Sequence, residues 1–157
     1  MSIKYKITSA LFISLIIMGI VLLSSNKKSD INKIRLIQLP VQKCIPQERM
    51  CEIKINDTEV RVSFEKDIFY LKPFKVSLFS NNKIDAVYLD FKMRNMDMGV
   101  NRFLLASTDL QNKNWQGKGL LPICVTGRAD WNSELEIIID TKKYIVPFPL
   151  IVKQATR

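Results

Sequence analysis

A chain of 157 residues, 47% apolar and carrying a formal charge of +9, has room for one domain and an appendage. It contains no histidine, which excludes a Ser-His-Asp or Cys-His nucleophile system and any His-ligated zinc or type-1 copper site. A metal bound here would be held by sulfur, carboxylate or backbone oxygen.

The first element is Ile7–Ser25, a run of 19 residues without a charge. As a helix it would reach roughly 28 Å at about 1.5 Å per residue, close to the thickness of a bilayer's hydrocarbon core. Lys4 and Lys6 precede it and favour a cytoplasmic N-terminus, while Lys27 and Lys28 follow it and weaken that bias. A cleaved signal peptide and a retained anchor are the two readings. No small-residue cleavage pattern closes the run and no cysteine stands at its end to accept a lipid, so the sequence predicts a retained single-pass anchor. The expected organisation is a cytoplasmic N-terminus (1–6), a transmembrane helix (7–25), a polar tether (26–33) and an exported domain (34–157), held on the periplasmic side of a bacterial inner membrane.

Lys4 and Lys6 are the only charges before Asn26, which leaves +7 beyond the anchor. The lysines and arginines are scattered through strand-like segments rather than clustered, so they read as a solvated basic surface and no nucleic-acid partner is expected.

Ile34–Val41 is apolar enough for a first strand. Cys44 and Cys51, with six residues between them, are placed to close a small loop by a disulfide in an oxidising compartment. Ile53 and Ile55 alternate with charges, Asn56-Asp57 marks a turn, and Val60, Val62 and Phe64 alternate with Arg61, Ser63 and Glu65, which predicts a hairpin. Phe74, Val76 and Leu78 share a face in the next strand, and Asn81-Asn82-Lys83 turns the chain. Val87, Leu89, Phe91 and Met93 then form the dry face of another strand, with Tyr88, Asp90 and Lys92 opposite.

Arg102–Ser107 reads as one short strand and Trp115–Pro122 as a strand with a bend or bulge at Gly117 and Gly119. Trp131, Ser133, Leu135, Ile137 and Ile139 share one face, as do Tyr144, Val146, Phe148, Leu150 and Val152 after a turn at Thr141-Lys-Lys. Seven or eight short strands about ten residues apart predict an all-β fold, an immunoglobulin-like antiparallel β-sandwich, with a barrel as the alternative. Trp115 and Trp131 are expected to anchor its core.

The chemistry-bearing stretch is Phe91-Lys-Met-Arg-Asn-Met-Asp-Met-Gly99. Met93 shares parity with Leu89 and Phe91 and belongs with the core. Met96 and Met98 are two apart, so both thioethers lie on one face of an extended chain. Two readings stand for them: gap-filling core residues, or soft ligands that select Cu(I). Cys124, in Leu120-Leu-Pro-Ile-Cys-Val-Thr-Gly127, is left over once Cys44 and Cys51 pair. It reads as a third soft ligand, as a passive buried residue, or as a disulfide or redox partner. No paired carboxylates sit in an apolar setting and no phosphate-binding glycine loop occurs in the sequence, so an enzyme is not expected.

The order Met96-Asp-Met-Gly-Val-Asn101, Trp115-Gln-Gly, Leu121-Pro-Ile-Cys124, Gly127-Arg128, Trp131 and Phe148 resembles the YtkA-like and FixH-like group of small bacterial immunoglobulin-like domains. It looks closest to uncharacterised proteobacterial exported proteins with an M-x-M-G…L-P-x-C pattern. The resemblance covers roughly Cys44 to Val152. It implies a membrane-anchored periplasmic module handling copper, serving assembly of a respiratory oxidase or meeting a copper-handling protein, with Met96, Met98 and Cys124 as Cu(I) ligands. The absence of histidine departs from the histidine-bearing relatives and speaks against Cu(II). A metal-free structural or interaction protein of the cell envelope, docking a membrane partner, is the alternative. A thiol–disulfide protein using Cys124 ranks below both, since no C-x-x-C occurs.

Overall fold

Period-two alternation of apolar and polar side chains leaves each segment one face to bury, and the chain answers it with strands. The computed structural model describes residues 34–93, 95–96, 99–123, 128 and 130–153. Ten strands form among them: β1 (Arg35–Gln38), β2 (Cys51–Ile55), β3 (Thr58–Phe64), β4 (Phe74–Ser80), β5 (Ala86–Met93), β6 (Arg102–Leu104), β7 (Ala106–Ser107), β8 (Asn114–Gly119), β9 (Trp131–Ile139) and β10 (Lys142–Pro149). The described residues contain no helix, and the predicted tether and anchor (7–33) lie outside them.

Two five-stranded sheets result, ordered β1-β10-β9-β5-β6 and β2-β3-β4-β8-β7. Every pairing is antiparallel except that of β1 with β10. The inward residues of both sheets form one core, including Val62, Phe74, Leu89, Phe91, Leu135, Ile137, Val146 and Phe148. Rings cross between the sheets: Phe74 meets Phe91 at 5.6 Å and Phe64 meets Phe148 at 6.5 Å between centroids. Trp115 and Trp131 are 5% and 2% exposed and fill the core as expected.

Two details depart from the sequence reading. Arg102–Ser107 is two strands in different sheets, because the chain changes sheet at Leu105, whose amide donates to the Val87 carbonyl and whose side chain is 1% exposed. Gly117 and Gly119 mark no bulge, since β8 pairs with β4 without a break from Phe74–Gly119 to Phe79–Asn114. Close packing requires them instead. A Cβ on Gly119 would lie 2.8 Å from both Phe74 Cζ and Phe91 Cζ, and one on Gly117 would lie 2.9 Å from Leu105 Cγ.

The registers place the connections at two unlike ends. At one, short turns join β2 to β3, β4 to β5, β7 to β8 and β9 to β10, with Asn56, Asn112 and Asp140 in the left-handed region that polar turn residues tolerate. At the other, here called the rim, lie the longer connections 39–50, 65–73, 94–101 and 120–130 and the exit 150–153.

Candidate functional site

Of the residues singled out for chemistry, Cys44 and Met96 lie in rim connections, Cys51 opens β2 and Met93 closes β5. The Cys44–Cys51 disulfide forms, with Cα atoms 5.8 Å apart, and ties the 39–50 connection to the first residue of β2. That loop is also clamped to the chain's exit, where Gln47 donates to the Ile151 carbonyl at 2.6 Å and accepts from the Ile151 amide at 2.7 Å. Gln47 is buried with its amide satisfied, because it pairs with both backbone groups of one residue, Ile151.

Met93 ends β5 opposite Trp131, the first residue of β9. It is 4% exposed and belongs to the core, as its parity predicts. Met96 returns to it in an isolated antiparallel bridge, with the Met96 amide donating to the Met93 carbonyl at 3.4 Å across Asn95 in the left-handed conformation. Met96 is half-buried and packs against the core, so at this residue both a packing role and a surface role have structural footing. Met98 and Cys124 lie outside the described residues. The Met93–Trp131 register pairs the last residue of β5, after which 94–101 follows, with the first residue of β9, which 120–130 precedes.

The connection 65–73 joins this group. Tyr70 bridges Leu121, the Leu71 amide donates to the Leu121 carbonyl at 2.9 Å, and the Tyr70 hydroxyl donates to the Arg128 carbonyl at 3.5 Å. Leu71 has φ 56° and is 60% exposed. A bulky residue in the left-handed region costs about 1–2 kcal/mol, and such strain concentrates where a site is held for use. Two buried donors at this end, Trp131 Nε1 and Asn101 Nδ2, have no hydrogen-bond partner among the described residues, an arrangement that costs about 1–3 kcal/mol for each group. Val41, Met50, Leu71, Val100, Ile123 and Ile151 expose apolar side chains in the rim connections, Val100 being 94% exposed.

Among the described residues, no group of three or more His, Cys, Asp or Glu could hold a metal ion. A site of hard donors is therefore not found there, and of the three soft donors the described residues contain Met96. No protein-family model matches the chain, and neither a curated protein nor a solved structure does.

Sequence reasoning missed a polar cluster on the outer face of the first sheet. Glu136, 5% exposed, accepts from Arg102 and pairs with Lys143 at 2.9 Å. Arg102 also lies over the Tyr88 ring at 3.9 Å. Burial raises the pKa of neighbouring Asp90, opposed by the positive charges of Arg102 and Lys92. The signal was available: Tyr88 pairs with Glu136 and with Leu104, so residues of even number on β5 and β9 share a face.

Proposed function

We propose that this protein is a membrane-anchored periplasmic binding module whose working end is the rim, and that its cargo is Cu(I). The strand order supports the immunoglobulin-like reading of the fold: β10-β9-β5-β6 faces β3-β4-β8-β7, with β1 added parallel to β10 and β2 added beside β3. The observation that supports the functional reading is the Met93–Trp131 register, which pairs the strand residue before the methionine connection with the strand residue after the Cys124 connection. Met96, Met98 and Cys124 are the soft donors of those two connections, and thioether with thiolate is the donor chemistry that selects Cu(I) in a chain without histidine. The motif order that resembles YtkA-like and FixH-like domains, with their association with oxidase assembly, points the same way.

A second reading has its own observations. The exposed apolar residues of the rim, the packing of Met96 against the core and the two unpartnered donors of Trp131 and Asn101 favour docking of a membrane partner without metal. Anaerobic titration of Cu(I) into the full chain against a chromophoric Cu(I) chelator separates the two. One-to-one competition, lost in Met96→Ala/Met98→Ala and in Cys124→Ser, is expected for the copper module. Failure of the native chain to compete leaves the docking module.

A further inference from the structure

The second sheet ends on β2, and among the described residues no strand pairs with its outer edge. Cys51, Ile53 and Ile55 are 1%, 6% and 3% exposed, so the strand is held firmly by the core. Glu52 and Lys54 alternate with them on the exposed face. The direction of their backbone groups follows from the neighbouring strand. Glu59 bonds towards β4, its amide to the Asn81 side chain at 2.8 Å and its carbonyl to the Asn81 amide at 3.1 Å. Thr58, Val60 and Val62 therefore bond towards β2, through their register partners Ile55, Ile53 and Cys51. By the same alternation Glu52 and Lys54 turn their N–H and C=O groups outward, to the free edge.

Native sheets usually blunt such an edge, by shortening it or by charges that repel a second strand. The other edge strands, β1, β6 and β7, have four, three and two residues, and β2 has five. The charges on β2 repel most strands but not its own copy. Glu52 and Lys54 flank Ile53 symmetrically, and neither forms an ion pair among the described residues. Arg61, opposite Glu52 in β3, is drawn instead towards β4, where its guanidinium lies 4.5 Å from the centre of the Phe79 ring.

We propose that β2 pairs with β2 of a second copy of this chain, antiparallel, about a two-fold axis through Ile53. In that register Glu52 stands opposite Lys54 of the partner copy, and Lys54 opposite Glu52. These are the residues whose backbone groups face outward, so each Glu52–Lys54 pair exchanges both backbone hydrogen bonds as well as opposite charges. Ile53 meets Ile53 in the non-hydrogen-bonded pair, about 4.5 Å apart at Cα. The registers Glu52–Arg61 and Lys54–Glu59 extend the pattern. Across four strands the charges run Arg61, Glu52, Lys54, Glu59, with no like neighbours. A parallel pairing in register would set Glu52 beside Glu52 and Lys54 beside Lys54, so the charges select the antiparallel form. The two second sheets join into one, an isologous contact of the kind that closes as a dimer.

Sedimentation velocity of the full chain in detergent micelles, across a hundredfold range of concentration, tests this. The native chain is expected to dimerise. Glu52→Lys and Lys54→Glu each convert both seam pairs to like charges and are expected to weaken dimerisation on the order of tenfold or more. An equimolar mixture of the two variants restores both pairs and is expected to restore the dimer, which a misfolded variant would not do. A native chain that stays monomeric throughout, a single variant that dimerises as well as the native chain, or a mixture no more associated than its components would each overturn the proposal.

Discussion

Glu136 shows how much one buried charge governs in a domain of this size. Its carboxylate is nearly out of water, and two cations, half-withdrawn themselves, complete it. Removing one member of such a group leaves the others desolvated without their counter-charge. Glu136→Ala is expected to destabilise the fold by about 2 kcal/mol, less than the roughly 3–5 kcal/mol of a fully buried pair because Arg102 and Lys143 keep partial access to water. Chemical denaturation with the slope held in common measures it, and a loss within error of zero would mean that the cluster is ornamental to stability.

Asp109 offers a pH-dependent counterpart. Partial burial works against its charge, but the Lys113 amide at 2.9 Å, the Asn114 side chain at 2.6 Å and the Ser107 hydroxyl hold its pKa below the ordinary 3.8. A depressed carboxylate stabilises the fold fully above its unfolded pKa, and that contribution disappears as pH falls through the folded value. The difference in Tm between native chain and Asp109→Ala should therefore be widest at neutral pH and shrink below about pH 4. A gap that stays constant to pH 2 would assign the effect to packing rather than ionisation.

At the scale of the element, the sequence was most legible where alternation was strongest. Val87 to Met93, Trp131 to Ile139 and Tyr144 to Leu150 bury the faces their parity assigns. It was least legible where a tertiary constraint overrides local pattern. Nothing local distinguishes a strand that changes sheet at Leu105 from one that continues. Nor does a glycine in a strand reveal whether it bends the backbone or admits a ring. Gly119 admits two, Phe74 and Phe91. Gly119→Ala should destabilise by about 1–3 kcal/mol through overpacking, with no change of topology. A thermal midpoint unchanged from native would show that the rings yield.

The disulfide was legible from the spacing of Cys44 and Cys51, which suits closure of a small loop. Replacing both cysteines by serine is expected to cost about 2.5 kcal/mol, the loop entropy of an eight-residue closure. The Gln47–Ile151 clamp should hold the loop in place even so. Loss of folding altogether in the variant would mean that the clamp depends on the disulfide.

At the scale of the whole molecule, the division into two ends matters more than any single residue. Short turns close one end, while the four long connections and the chain's exit gather at the other. The strained Leu71, the unpartnered Trp131 Nε1 and the exposed Val100 all belong to that second end. The methionine pattern in the sequence pointed to one of these connections, and the structure pairs Met93, the residue before it, with Trp131, the residue after the 120–130 connection. The sequence could not supply that pairing, because it depends on which strands share a rung. Met98 and Cys124 lie outside the described residues, so their part in the rim is a matter for direct measurement.

That measurement is a titration of the isotope-labelled full chain with Ag(I), a redox-stable substitute for Cu(I), followed by amide chemical shifts. Shifts saturating at one equivalent and confined to the rim, at Asn95, Met96, Gly99, Leu121, Ile123 and Arg128, with the turns at Asn56, Asn112 and Asp140 unmoved, are the predicted result. Shifts centred on the turn end, or none at any ratio, would contradict a soft-metal site at the rim.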